Sequence, residues 1–216
     1  MRESIIKSVE KEKIVVIVRG VERDTLVPLA EAMYAGGIRL LEITYDQSGK
    51  TSDVETADRI AMLADHFSGR MMIGAGTVVN ESQVELTAKA GGGFIISPDT
   101  YRPVIERTRE LSLVSMPGAL TPTEVKMAHR SGADFVKLFP VSNLGVEYVK
   151  AIKAPLSNIK LLAVGGISLD NMGDYLRAGI SGFGIGSNII DKSALKSGDF
   201  DKITALARKY VEALSI

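Results

Sequence analysis

The chain has 216 residues, 45% apolar and 24% charged, an ordinary globular balance with enough length to bury a core unaided. Twenty-six Lys and Arg offset 26 Asp and Glu, so no long-range field draws the protein to nucleic acid or a membrane surface. Cysteine is absent, which excludes disulfides, thiolate metal sites and cysteine nucleophiles and fits a cytoplasmic location.

The opening "MRESIIKSVEKEK" is charged throughout and is expected to be an N-terminal helix. It lacks the apolar segment of a signal peptide, and no later run is long enough to span a bilayer. From there short β-branched runs alternate with amphipathic stretches. The runs are "IVVIVR" (14–19), "RLLEITY" (39–45), "MMIGAG" (71–76), "FIIS" (94–97), "LVSMPG" (113–118), "FVKLFP" (135–140), "KLLAVGG" (160–166) and "GFGIGS" (182–187). Between the first two, Leu26, Leu29, Ala30 and Met33 fall on one helical face, and Gly36 or Gly37 ends the helix. In "TPTEVKMAHRSGA", Thr121 or Thr123 can cap the start and Gly132 stops the helix. "FDKITALARKYVEAL" is a last amphipathic helix.

Helix ends "AGG", "AGGG", "SGA" and "AGI" each stand directly before a strand, where glycine supplies the left-handed backbone that turns the chain back. Repeated helix–Gly–strand punctuation predicts parallel βα units. Eight of them predict an α/β fold, a (β/α)8 TIM barrel in a single domain over residues 1–216, with a doubly wound open sheet as the alternative. Catalytic groups in a barrel sit at the C-terminal strand ends, so unusual polar residues should gather there.

They do. Arg19 ends the first strand; alone it reads as a surface salt-bridge arginine. Glu42 lies inside the second, on one face with Leu40 and Thr44, where a carboxylate is costly unless paired or functional. Thr77 follows the third and could equally cap the next helix. Ser97 and Pro98 end the fourth strand; Met116, Pro117 and Gly118 end the fifth. These prolines read as loop-shaping residues that could also wall a pocket. "VGGIS" (164–168) and "GIGSN" (184–188) place small residues before helical stretches, a pattern that exposes backbone N–H groups to phosphate or simply makes tight turns. His66 and His129 fall near helix ends without ligand spacing, and no His, Asp and Glu cluster matches a metal site, although scattered carboxylates could hold magnesium.

Lys137 is the most conspicuous residue. It shares a strand face with Phe135 and Phe139. Near a strand end its ammonium could snorkel to water. Partly desolvated, its pKa would fall from about 10.4 and the neutral amine could attack a carbonyl to form a Schiff base. The protonated imine is an electron sink for cleavage of an adjacent C–C bond, and Glu42 is a proton carrier of suitable type.

Taken together, "IVRG", "AGGIRLLEIT", "IGAGTV", "FIISP", "MPGALTPTE", "FVKLFP" and "VGGI" resemble the class I 2-keto-3-deoxy-6-phosphogluconate aldolases, which overlap with the 4-hydroxy-2-oxoglutarate aldolases. The resemblance covers most of the chain. It implies a (β/α)8 barrel, usually a homotrimer, that needs no organic cofactor or metal. Lys137 matches the Schiff-base lysine and Glu42 the proton-shuttling carboxylate. Thr77 and Arg19 match positions near the pyruvate carboxylate, and Gly165, Gly166, Gly186 and Ser187 match the phosphate region. Pro98 and Phe139 are expected to wall the substrate, a phosphorylated keto acid.

Two departures bear on specificity. Many members carry an arginine two residues after "E-x-T"; here Asp46 stands there. Many phosphogluconate enzymes read "PTGG" where this chain reads "AVGG", so Val164 removes a hydroxyl near the substrate. The phosphogalactonate branch also resembles "AVGG", and losing one hydrogen-bonding group can shift discrimination between isomers. The expected scheme is imine formation at Lys137, C3–C4 cleavage assisted by Glu42, and release of pyruvate and an aldehyde such as glyceraldehyde 3-phosphate. A phosphate-binding isomerase or epimerase, or a non-catalytic sugar-phosphate binder, would use the same glycine turns without an imine.

Overall fold

The computed structural model describes residues 2–215. Helix α1 (Arg2–Glu12) precedes strands β1 (Ile14–Val18), β2 (Leu40–Thr44), β3 (Met72–Gly76), β4 (Phe94–Ile96), β5 (Val114–Met116), β6 (Gly118–Ala119), β7 (Val136–Leu138), β8 (Leu161–Val164) and β9 (Gly182–Ile185). Every pairing is parallel, and the order is β5-β4-β3-β2-β1-β9-β8-β7-β6. The two ends of that list are halves of one extended segment interrupted at Pro117. β5 pairs with β4 and β6 with β7, so the fifth predicted strand bridges what an open sheet would leave as two edges. The result is a nearly closed, TIM-like barrel, and the doubly wound alternative is set aside.

The helices between and after the strands, α2 (Arg23–Ala35), α3 (Asp53–His66), α4 (Glu81–Lys89), α5 (Arg102–Glu110), α6 (Pro122–Arg130), α7 (Gly145–Lys153), α8 (Met172–Arg177), α9 (Lys192–Ser197) and α10 (Phe200–Glu212), follow from local chemistry. α3 (Asp53–His66) starts at a capping box of Ser52 and Glu55. α6 (Pro122–Arg130) starts at one of Thr121 and Glu124, so Thr121 rather than Thr123 is the cap. At the end of α2 (Arg23–Ala35), Gly37 takes the left-handed turn at φ 97.

Two apolar layers hold the barrel. The larger lies between the strands and the outer helices and includes Leu29, Met33, Leu41, Ile60, Val136 and Ile203. The smaller lies inside the strand ring, where Val15, Leu40, Phe94, Phe135 and Leu162 meet Ile5 and Val9 of α1. α1 therefore plugs the N-terminal mouth. Burying its two branched side chains contributes on the order of 3–6 kcal/mol before ordering costs. The plug is also tied by Arg2 to the shielded carboxylate of Asp134, which pairs with Arg109 as well. Two residues beyond Leu40 and Phe135 along the chain, in β2 and β7, stand Glu42 and Lys137.

Candidate active site

Glu42 and Lys137 point into the ring from β2 and β7. With Val15, Ile17, Ile96, Leu162, Val164, Phe183 and Gly184 they line one narrow inner pocket. Glu42 is 1% exposed and Lys137 7%. Burial pushes the Glu42 carboxyl up to about 7, against the opposing charges of Lys137 and Arg19. Burial lowers the Lys137 ammonium below the usual lysine range; Glu42 pulls it back up, and Arg19 lowers it further. Glu42 Oε2 has no hydrogen-bond partner among the described residues. The Lys137 amine lies 4.7 Å from the centroid of the Phe139 ring, which is itself 38% exposed. A desolvated amine and a carboxyl titrating near neutrality in one apolar pocket suit nucleophilic attack followed by proton transfer.

Ile17, Val164 and Gly184 also border a wider cavity of about 680 Å³. Its lining includes Arg19, Phe139, Gly165, Gly166, Gly186 and Ser187, so most of the predicted binding residues converge on one space. Gly165 (φ 96) and Gly166 (φ 72) need left-handed backbone, and a Cβ on Gly166 would fall 2.6 Å from Ser142 Cβ. The sequence pattern suggested helix N-termini behind both glycine turns. The following helices are short, α8 (Met172–Arg177) and α9 (Lys192–Ser197), and begin several residues on. The donors at this end are therefore those of the turns themselves.

Thr77 lies outside these two spaces and lines a second, polar cavity of about 690 Å³ with Arg19, Asp46, Lys50 and Arg59. Arg19 borders both large cavities, and its Nη2 donates to Thr77 Oγ1 at 3.1 Å. The helix-cap role open to Thr77 belongs instead to Asn80, which accepts from Gln83 N. Thr77 adopts φ 55, a costly conformation for a β-branched residue. Asp46 holds the loop after β2 by accepting from the N–H groups of Ser48, Lys50 and Thr51, and these bonds bring its carboxyl down to about 2. Pro98 is exposed and lines none of these cavities; its carbonyl packs against Gly118 instead, where a Cβ would lie 2.2 Å from Pro98 O. His66 pairs with Glu31 at an exposed site, and His129 is exposed on α6.

Sequence reasoning missed two asparagines. Asn171 Nδ2 donates to Gly166 O at 2.8 Å, and Asn188 Nδ2 donates to Ile167 O at 2.7 Å. Both tie up carbonyl oxygens of the first glycine turn. Asn188 closes "GIGSN" and Asn171 follows "VGGIS", but each reads in the sequence as an ordinary loop asparagine.

The fold and site define a class: a parallel barrel enzyme with a lysine and a carboxylate buried together at the C-terminal strand ends. A family model described as aldolase, KDPG and KHG aldolase, matches residues 5–206, and the chain belongs to that family. It is 35% identical over 187 residues to a probable 2-dehydro-3-deoxy-6-phosphogalactonate aldolase of Rhizobium meliloti (strain 1021), covering 86% of this chain and 85% of that protein. It is 34% identical over 204 residues to the KHG/KDPG aldolase of Escherichia coli (strain K12), covering 94% and 91%. Among solved structures, a KDPG aldolase from Legionella pneumophila with pyruvate captured as a covalent carbinolamine superposes with a TM-score of 0.83 at 28% identity, covering 94% of this chain and 96% of that one.

Proposed function

We propose that the protein is a Schiff-base aldolase that cleaves a 2-keto-3-deoxy-6-phospho sugar acid to pyruvate and glyceraldehyde 3-phosphate, and 4-hydroxy-2-oxoglutarate to pyruvate and glyoxylate. The neutral Lys137 amine attacks the C2 ketone to give a carbinolamine. Loss of water, with Glu42 supplying the proton, leaves the iminium. Glu42 then takes the C4 hydroxyl proton, the C3–C4 bond breaks, and its electron pair passes into the iminium to form the enamine. The aldehyde departs. Protonation of the enamine at C3 and hydrolysis of the imine release pyruvate and restore the amine. Arg19, with Thr77 as its hydrogen-bond partner, orients the keto-acid carboxylate. The glycine turns receive the phosphate, and Phe139 shields the amine. No organic cofactor or metal has a step in this scheme.

One observation carries the reading: Lys137 and Glu42 are buried in the same apolar pocket, with burial shifting both towards their neutral forms. The Legionella relative with its captured carbinolamine supports the same covalent chemistry. A galactonate-type sugar is the second reading. It is favoured by Val164, whose side chain offers no hydroxyl between the inner pocket and the glycine turns. The homotrimer, the cytoplasmic location and a single domain over residues 1–216 belong to the same proposal and rest on the family resemblance and the lack of cysteine. No described helix is long and apolar enough to cross a membrane.

The test is borohydride reduction in the presence of pyruvate, followed by peptide mapping. The expected result is a reduced pyruvate adduct on Lys137; an enzyme that turns over substrate without one is an isomerase or epimerase type instead.

A further inference from the structure

We propose that Lys192 is a substrate-binding residue through which the protein selects phosphorylated over unphosphorylated aldehydes. It rests on the aldolase reading and names the chemistry of one more residue lining its cavity. Among the described residues, the lining of the 680 Å³ cavity contains two charged side chains, Arg19 and Lys192, and no carboxylate. Arg19 is engaged with Thr77. Lys192 is exposed and has no ion-pair or side-chain hydrogen-bond partner among the described residues.

Its neighbour Asp191 does not neutralise it. The Asp191 carboxylate caps α9 by accepting from Ser193 N and Ala194 N, both at 2.9 Å, and pairs with Lys202 Nζ at 2.7 Å. Those bonds hold its carboxyl below the usual range and turn it to the helix and to Lys202. The positive charge of Lys192 is therefore uncompensated on the cavity side.

The lining of the same cavity is also prepared for an anion. The backbone N–H groups of Gly166 and Ser187 have no acceptor among the described residues. The carbonyls of Gly166 and Ile167, which would repel an anion, are occupied by Asn171 and Asn188. Free turn N–H groups, the Ser187 hydroxyl and an unpaired ammonium together match a phosphate dianion. An unphosphorylated aldehyde presents no charge there, so Lys192 contributes nothing to its binding.

The experiment is condensation of pyruvate with glyceraldehyde 3-phosphate and, separately, with glyceraldehyde, using wild type, Lys192→Met and Lys192→Arg. For Lys192→Met, kcat/KM with the phosphorylated aldehyde should fall roughly ten- to a hundredfold, mostly through KM, as for loss of one charge-assisted hydrogen bond. With glyceraldehyde the change should stay within about threefold. Lys192→Arg should restore most of the loss, and inorganic phosphate should compete with the phosphorylated aldehyde in wild type but much less in Lys192→Met. Equal losses with both aldehydes, or no loss with the phosphorylated one, overturn the assignment. Borohydride trapping with pyruvate separates the two levels. A wild-type adduct with an unchanged phosphate preference in Lys192→Met overturns the role of Lys192 alone; no wild-type adduct overturns the aldolase reading on which it rests.

Discussion

Glu42 occupies the space that a side chain at position 76 would need. An ideal Cβ on Gly76 would lie 2.1 Å from Glu42 Oε1 and 2.6 Å from its Cδ. The two residues stand on adjacent strands, with Glu42 opposite Gly74 and Gly76 opposite Thr44. Gly74 plays the same part for Phe94, whose ring would meet a Cβ at 2.4 Å. The glycines of β3 thus make room for a carboxylate from one neighbouring strand and an aromatic ring from the other.

Gly76→Ala tests this relationship. Gly76 has no positive φ, so alanine fits the strand backbone, and the three atoms nearest its Cβ all belong to Glu42. The carboxylate must move by more than an ångström, which for a proton carrier costs on the order of a hundredfold in kcat. Steady-state kinetics and thermal melts should show that loss with the barrel still folded. A variant with kcat close to wild type would mean that Glu42 does not need its observed position.

Much of this was legible in the sequence because charge stands out against a buried strand. Glu42 and Lys137 interrupt β-branched alternation, and both prove to face the inside of the ring. The strand runs were legible for the same reason, and glycine marked the helix ends. Thr77 was ambiguous because threonine before a helix is a normal cap; only the position of Asn80 and the Arg19 contact decide it. Pro117 read as a strand end, but pattern alone does not reveal that the chain resumes pairing on the other side. Lys192 and the two asparagines left no readable signal, because a polar residue in a loop looks alike whether it faces solvent or a cavity.

Arg19 should govern binding more than chemistry. Its guanidinium borders both large cavities and is held by Thr77 Oγ1. Arg19→Met should raise the pyruvate concentration for half-maximal adduct formation by roughly ten- to a hundredfold, as for removal of a charge-assisted carboxylate contact. Thr77→Val, which removes only the hydroxyl that positions the guanidinium, should cost about tenfold or less. The ratio of the two losses, measured by pyruvate-dependent borohydride inactivation, checks the order. A larger loss for Thr77→Val than for Arg19→Met would mean that Thr77 binds substrate directly.

Lys137→Met should abolish the adduct and stabilise the fold. Burial holds the ammonium below its unfolded pKa of about 10.4. Between the two values the unfolded chain binds more protons, so wild-type stability rises with pH across that window. Methionine removes this dependence, and its advantage should be largest below the lowered lysine value and shrink as pH rises towards ~10. Losing Lys137 also withdraws a charge that lowers Glu42, so the comparison belongs in a Glu42→Gln background. An advantage of about 1 kcal/mol or more is expected, enough to raise Tm by ~2–4 °C. A lower Tm at neutral pH would show that the amine stabilises the folded chain.

Glu42 gives the activity its acid limb and the fold an unusual pH response. The carboxyl is raised from 4.5 to about 7, chiefly by burial. Between those values the folded state binds more protons than the unfolded chain, so stability falls as pH rises through the window. Its contribution is intact below the unfolded pKa and lost above about 7. Glu42→Gln should flatten this response and gain up to roughly 3 kcal/mol above neutrality, since each pKa unit is worth about 1.4 kcal/mol. Catalysis runs the opposite way. In the iminium complex the carboxylate must be ionised to take the C4 hydroxyl proton, so kcat for cleavage should rise with pH to a plateau with a midpoint near 7. Glu42→Gln should lower kcat by on the order of a hundred- to ten-thousandfold and remove that limb. Calorimetry and a pH–rate profile on the same two proteins check both halves. A wild-type midpoint near the ordinary carboxylate value of 4.5 would separate Glu42 from the proton transfer.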